Sequence, residues 1–287
     1  MASFPVIAFV GGAVVLSAVS AAAVEAGRDH SALPDFSSID SPWVATVQDY
    51  QPPASGFGPV AYDKAHPVME TTPNQFGVVR TTPMRLADLS NTNLKPWVVD
   101  YLRKANADVL AGKLRHTARA NCMPGGVPQF LLYAGGFENL YFMQTPKEVL
   151  IIHQADVQIR HVYLNVSHSQ HPAQSWYGES VGHYEGNELV VDTIGLNDKT
   201  ALDSHYDVPH TTQLHVVERF RLTSGGQNLQ VNFTVEDPGA FYAPWSGSVT
   251  YRHDRDRETL TEEPCAENNQ VNMASYMGVP TAARADF

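Results

Sequence analysis

The chain has 287 residues, 43% of them hydrophobic and 10% aromatic, enough apolar mass for one sizeable core or two small ones. Only 17% are charged, and Gly numbers 20 and Pro 19, which excludes a coiled coil, a collagen or a disordered tail. Nineteen Lys and Arg against thirty Asp and Glu leave a formal charge of −11, so no basic patch for a phosphate backbone is expected and nucleic acid is set aside as a partner.

Residues 5–24 read PVIAFVGGAVVLSAVSAAAV, an uncharged run of apolar and small residues. Small-x-small sites near Ala21–Ala23, and Val24-Glu25-Ala26 just after, suit signal peptidase. Residues 1–26 therefore read as a signal peptide of an exported protein, although no Lys or Arg precedes the run as the usual pattern has it. The alternative is a membrane anchor through residues 5–24, since about 20 apolar residues span a bilayer. Against it, the run is rich in Gly, Ala and Ser, is poor in Leu, and lacks a basic flank after it. Cleavage leaves a charge of −10 and no stretch expected to insert stably in a membrane.

Cys122 and Cys265 are the only cysteines, with 142 residues between them. A Cys-x-x-Cys zinc or redox motif is thereby excluded. In an exported protein such a pair favours a disulfide, which on the chain-entropy account would stabilise by about 4–5 kcal/mol for a loop of this length. Two buried free thiols are the alternative.

Residues 27–94 form an irregular arm, rich in Pro, Ser, Asp and Gly up to residue 85. From Lys95 to Leu114 the pattern becomes helical: Trp97, Val98, Tyr101, Leu102, Ala105, Val109 and Leu110 share a face, Pro96 suits the first turn and Gly112 weakens the end. This amphipathic helix is expected to pack on the core as part of a segment over 95–121. From Cys122 onward, in a domain spanning 122–287, strand signals take over at Val149–His153, Val157–Leu164, Glu179–Tyr184, Leu189–Ile194, Gln213–Leu222, Asn228–Val235 and Ser248–Arg252. Glu185-Gly186-Asn187 and Ser224-Gly225-Gly226 supply hairpin turns. Leu214, Val216, Glu218, Phe220 and Leu222 share one strand face, and Leu229, Val231, Phe233 and Val235 the matching one. Such alternation belongs to antiparallel sheet with one wet face. The expected fold is mainly β, an antiparallel meander closing into a lipocalin-like barrel, with one helix and the N-terminal arm.

No repeat, Walker loop, dinucleotide fingerprint or H-E-x-x-H is present. Gly178-Glu-Ser180-Val-Gly182 fits G-x-S-x-G, but no helix pattern follows, so Ser180 reads as a strand residue rather than a nucleophile.

Eight of the twelve histidines lie between His153 and His215, in a segment that also holds Arg160, Tyr163, Trp176, Glu185, Asp192 and Asp203. Imidazole serves as general base and as metal ligand near neutral pH. The run from Trp176 to Thr193, W-x-G-x-S-x-G-x-x-E-G-x-x-L-V-V-D-T, resembles the signature of a large uncharacterised group of exported bacterial proteins. So do Gly195-Leu-Asn-Asp198, Pro209-His210 and the L-H-V-x-E-R-F motif at Leu214–Phe220, together with Asp237-Pro238, Pro244-Trp245 and Cys122-Met-Pro-Gly-Gly-Val-Pro128. The similarity covers about residues 90–270 and implies export, into a bacterial periplasm, but no reaction. The chain departs from the group at Asn187, where Asp is more frequent, and at His183, where Arg is usual.

Glu218 stands on an otherwise apolar strand face, where a carboxylate needs a cation or a raised pKa. Arg160, on the Val162 and Leu164 face, could be that cation, and Asp192 poses the same question beside Val190 and Ile194. The expected catalytic set is Glu218, His210 and Arg160, with Asp192, His215 and Tyr163. Trp176, Tyr163 and His171 are expected to line a ligand pocket. His210, His215 and Glu218 could alternatively ligate a divalent metal ion, although alternation puts His215 and Glu218 on opposite faces. Glu185, in a turn, is expected to be solvated.

The functional expectation is an exported enzyme without organic cofactor, doing acid–base lyase, isomerase or hydratase chemistry on a small apolar or aromatic, for instance phenolic, molecule in a barrel pocket. A non-catalytic periplasmic carrier of an apolar ligand is the alternative, as is a metal-dependent enzyme using the His153–His215 cluster. Composition and spacing do not specify an oligomeric state.

Overall fold

The computed structural model describes residues 33–38, 41–66, 85–111, 122–132, 139–155 and 158–253. The expected signal peptide and Cys265 lie outside the described residues. Nine strands run in chain order around a closed barrel: β1 (Trp43–Ala45), β2 (Asn139–Gln144), β3 (Glu148–His153), β4 (Gln158–Leu164), β5 (Glu179–Glu185), β6 (Glu188–Ile194), β7 (His215–Thr223), β8 (Asn228–Glu236) and β9 (Trp245–His253). One α-helix, α1 (Pro96–Leu110), lies before β2. A mainly β barrel with one α-helix is thus the architecture of the described residues. Among the described residues no helix is long and apolar enough to cross a membrane.

Period-two alternation produces the barrel wall. Along β4, Gln158, Arg160, Val162 and Leu164 are buried while Ile159, His161 and Tyr163 face out. In β7 and β8, Val216, Glu218, Phe220, Leu229, Val231, Phe233 and Val235 point in, as their alternation requires. The longest ladder pairs β7 with β8 from His215↔Glu236 to Thr223↔Asn228, closed by the Ser224–Gly226 turn with Gly225 at φ 66°. Interior positions are filled by large side chains, Phe142, Phe220 and Phe233 among them.

Three features differ from the expectation. The arm is not merely draped over the barrel: its residues Trp43–Ala45 form β1, which pairs with both β2 and β9 and closes the cylinder. The boundary at residue 122 therefore cuts across the barrel, and the described residues fall in one compact unit that begins at Leu33. Strand β2 carries no alternation because Asn139 to Phe142 are buried on both faces. Finally, β4 and β5 are parallel, Val162 opposite Ser180, in an otherwise antiparallel barrel. The connection over 165–178 must return along the wall before β5 starts, as parallel pairing demands.

Helix α1 begins with Pro96 in its first turn, as expected, but only Val98, Leu102 and Ala105 are buried. Trp97 and Tyr101 are partly exposed and cap the loops instead, Trp97 Nε1 donating to the Gly239 carbonyl at 2.9 Å and Tyr101 Oη to Asp207 at 3.0 Å.

Candidate active site at one end of the barrel

Glu218 and Arg160 meet in the barrel interior, both fully buried. The Arg160 guanidinium donates to Glu218 Oε1 at 3.0 Å and Oε2 at 2.5 Å, a two-pronged pairing. Two more of its N–H groups go to Ser180 Oγ at 3.1 Å and Thr193 Oγ1 at 2.8 Å, and those hydroxyls bond each other at 2.9 Å. Ser180 is therefore a strand residue holding Arg160. The pair lies among Val162, Val191, Val216 and Phe220, all fully buried, and borders neither hollow described below. Burial, with a contribution from the Glu218 charge, pushes the Tyr251 and Tyr50 hydroxyls well above their ordinary range; they donate to the Leu131 and Pro128 carbonyls.

The other expected residues do not join this pair. His210 is buried away from Glu218, its Nε2 paired with Thr200 Oγ1 at 2.8 Å and its Nδ1 with the Thr211 carbonyl at 3.1 Å. Burial lowers its pKa despite the Thr211 carbonyl and the charges of Asp237 and Asp198. His215 and Asp192 face outward: Asp192 Oδ1 takes His215 Nε2 and His168 Nε2, each at 3.0 Å. His168 Nδ1 meets Glu179 at 2.9 Å, so this chain of side chains fastens the β4–β5 connection to the wall. Tyr163 is exposed and stacked on His161, His171 is exposed, and Trp176 is half-buried; none of them borders either hollow. Glu185 is exposed as expected, and pairs with Arg219 and His183. The alternative metal set His210, His215 and Glu218 is split between three environments, and among the described residues no three His, Cys, Asp or Glu side chains converge as metal ligands.

A different constellation assembles where the arm crosses the barrel end. His205 Nδ1 meets Asp49 Oδ1 at 2.9 Å, and Asp49 Oδ2 is paired with Arg85, whose other branch donates to Gln48 at 3.0 Å. Burial would raise the Asp49 pKa, but His205 and Arg85 outweigh it and hold the carboxylate below its ordinary range. With the Asp49 carboxylate held against Nδ1, the other ring nitrogen of His205, Nε2, is the one placed to act as a base. Asp203 anchors the loop that carries His205: its carboxylate accepts from the backbone N–H groups of His205, Tyr206, Asp207 and Val208 at 2.8, 2.5, 3.3 and 3.2 Å. Burial nevertheless raises the Asp203 pKa. Tyr206 lies alongside, its hydroxyl pushed up by burial and by Asp49.

His205, Asp49, Gln48, Asp203 and Tyr206 border a partly open cavity of about 20 Å³, room for about one water-sized group, with Tyr50, Leu202, Val208, Phe241 and Trp245 as apolar walls. A second hollow of about 250 Å³ lies on the outer face of β7–β9, where Arg219, Asn232, Thr234 and Ser246 line an open surface. Only the first joins an oriented imidazole to an apolar wall.

No family model matches the chain, and no curated protein is similar to it. The His205–Asp49 pair was invisible to local reasoning because 156 positions separate its members. The signals available were the histidine density around His205 and the neighbouring Asp203.

Proposed function

We propose that this protein is an exported acid–base enzyme that acts without an organic cofactor, on a small apolar or phenolic molecule bound at the His205 end of the barrel. The observation that carries the reading is the His205–Asp49 pair at 2.9 Å beside an apolar-walled cavity. Nε2 of His205 takes a proton from the substrate, Asp49 holds the ring and stabilises the imidazolium that forms, and the same proton returns to a neighbouring substrate atom. Lyase, isomerase and hydratase reactions share the proton transfer at His205; in an elimination the bond to the departing group breaks and that group carries the proton away, and a hydration runs the same steps in reverse with water. A pure carrier has no use for an oriented acid–base pair. The uncharged run over 5–24 supports export, and an exported protein supports a Cys122–Cys265 bridge.

The test is proton exchange. A panel of phenols, phenolic acids and enones is incubated with the protein in deuterated water and followed by NMR for deuterium uptake, hydration or elimination. His205→Gln should slow the reacting member by about 10²–10⁴-fold while the protein stays folded. Wild-type rates in that variant, or no exchange with any member, would remove the reading. For the bridge, protein denatured without reductant should take up no maleimide; two labelled cysteines would exclude it.

A further inference from the structure

Alternation along β7, β8 and β9 turns every second side chain away from the core, and the ladder aligns these outward side chains in rungs. One rung sets Arg219 opposite Asn232 and Asn232 opposite Ser248; the next sets Val217 opposite Thr234 and Thr234 opposite Ser246. Cross-strand neighbours stand about 5 Å apart, so each rung lies within reach of one small molecule. The face is made concave by the arm. Gln51 and Ser248 exchange backbone hydrogen bonds, each at 2.9 Å, and the Ser246 amide donates to the Phe57 carbonyl at 3.0 Å, which holds Pro53 as a rim beside the strands. The hollow of about 250 Å³ lies between Pro53 and Arg219. It falls just short of the roughly 300–1,000 Å³ of drug-sized pockets and suits a molecule of one ring.

The polar groups around this hollow are not spent on the protein. Arg219 meets Glu185 at 2.7 Å and Glu188 at 3.2 Å through Nη1 alone, so the N–H groups on Nε and Nη2 have no partner among the described residues. Asn232 is engaged through Oδ1, by Gln230 at 3.4 Å, and its Nδ2 has no partner there either. The same is true of Ser248 Oγ, while Thr234 Oγ1 and Ser246 Oγ bond each other at 3.1 Å and keep lone pairs to spare. All five residues are at least partly exposed, so the hydroxyls of a ligand replace water at them bond for bond. Charge selects against an anion: Glu185 and Glu188 balance Arg219, and the whole chain carries −11. Val217 and Pro53 add apolar surface for C–H groups.

We infer that the outer face of β7–β9 is a binding site for a neutral sugar, a pyranose whose hydroxyls bond Arg219, Asn232 and Ser248 while its C–H face rests on Val217 and Pro53. The inference goes beyond the acid–base reading, since this hollow shares no lining residue with the cavity beside His205 and no bond is made or broken in it. The rigid ladder and the two carboxylates on Arg219 fix the polar groups in advance of binding. On an open face water competes, so one sugar ring binds with a dissociation constant on the order of 1–10 mM. The rung beyond, Arg221–Gln230–Thr250, continues the polar row for a longer glycan.

The experiment titrates the full ¹⁵N-labelled chain, followed by NMR, with the methyl glycosides of glucose, galactose and mannose and with N-acetylglucosamine. At least one should give saturable shifts at the Asn232 side-chain amide and at the backbone amides of residues 246–248. Asn232→Ala and Ser248→Ala lie on the open face, so they should fold as the wild type does and each weaken that sugar about fivefold, the worth of one hydrogen bond. Inorganic phosphate and benzene should leave the same signals in place. Cellotriose or maltotriose bound about tenfold tighter than one sugar would name a glycan chain as the natural source, and equal affinity a single sugar. Absence of saturable shifts with every sugar up to about 50 mM would overturn the inference. So would shifts that both variants leave unchanged, or a stronger response to phosphate. If neither variant folds, the wild-type shifts decide alone. His205→Gln should bind the sugar as the wild type does, which separates this site from the proposed function.

Discussion

At the scale of single residues, the most consequential placement is that of Glu218. A carboxylate inside an apolar barrel needs a cation, and Arg160 supplies it with a two-pronged pairing. Such a pair contributes little against well-packed apolar replacements, yet removing one partner strands the other charge in a medium that cannot solvate it. Glu218→Gln should therefore lower unfolding stability by about 3–5 kcal/mol in urea titration, and Arg160→Met with Glu218→Leu should recover much of that loss. A Glu218→Gln protein at wild-type stability would refute the account. His210 makes a prediction about pH. Burial depresses its pKa, so the folded protein holds it neutral while the unfolded chain takes up a proton near 6.5. Stability from this group is thus intact above about 6.5 and declines as pH falls below that value. Melting temperatures between pH 8 and pH 5 should fall more steeply in the wild type than in His210→Gln. Identical slopes would show that another group governs the acid limb.

At the scale of elements, the β4–β5 connection is where the chain leaves the simple meander, and it is fastened at several points. Glu179 accepts from the Ser169 amide at 2.7 Å, from Ser169 Oγ at 2.8 Å and from His168 at 2.9 Å. Ser169 contributes first and His168 after it, and together they outweigh burial and lower the Glu179 pKa below its ordinary 4.5. A lowered carboxylate pKa stabilises the fold above the unfolded value and loses that effect as pH falls through the folded one. Amide exchange at Ser169 should accordingly accelerate below about pH 4.5 relative to the β7–β8 hairpin, and Glu179→Gln should bring that faster exchange to neutral pH. At the end of the same connection Gly178 has φ +64°, and a Cβ there would stand 2.3 Å from the Ile194 carbonyl oxygen. Gly178→Ala should cost on the order of 2–3 kcal/mol, from left-handed backbone and overpacking together. A loss under about 0.5 kcal/mol, the scale of an ordinary surface substitution, would contradict the close approach.

For the molecule as a whole, closure depends on three residues of the arm. Trp43 is fully buried, donates from Nε1 to the Phe36 carbonyl at 3.0 Å, stacks on His253 and pairs with both Leu140 and His253. Removing it leaves β2 and β9 as facing edges with no strand between them, an arrangement prone to pairing with other chains. Trp43→Ala should lower stability by about 3–5 kcal/mol and raise aggregation on warming, measured by denaturant titration and light scattering. A monomeric variant of unchanged stability would mean that β1 is an ornament on a barrel closed by other contacts.

The sequence by itself determined what depends on neighbours in the chain. Alternation with period two set the inward and outward faces of β4, β7 and β8, the glycine turns joined their hairpins, and Pro96 marked the start of α1. Glu218 and Arg160 were legible as inward charges because each breaks an apolar alternating face. The tertiary structure alone decided what depends on distant partners. Strand β1 is three residues long with no pattern to read, and β2 is buried on both sides at 139–142, so neither shows the half-wet alternation that betrays a strand. The parallel β4–β5 pairing follows from where a long connection lands, which local preferences do not encode. The same holds for the candidate site. Asp49 becomes the partner of His205 only when the arm folds across the barrel end. A hydrogen bond acts within about 3 Å, and across a sequence separation of 156 positions only the closed barrel brings two side chains that near.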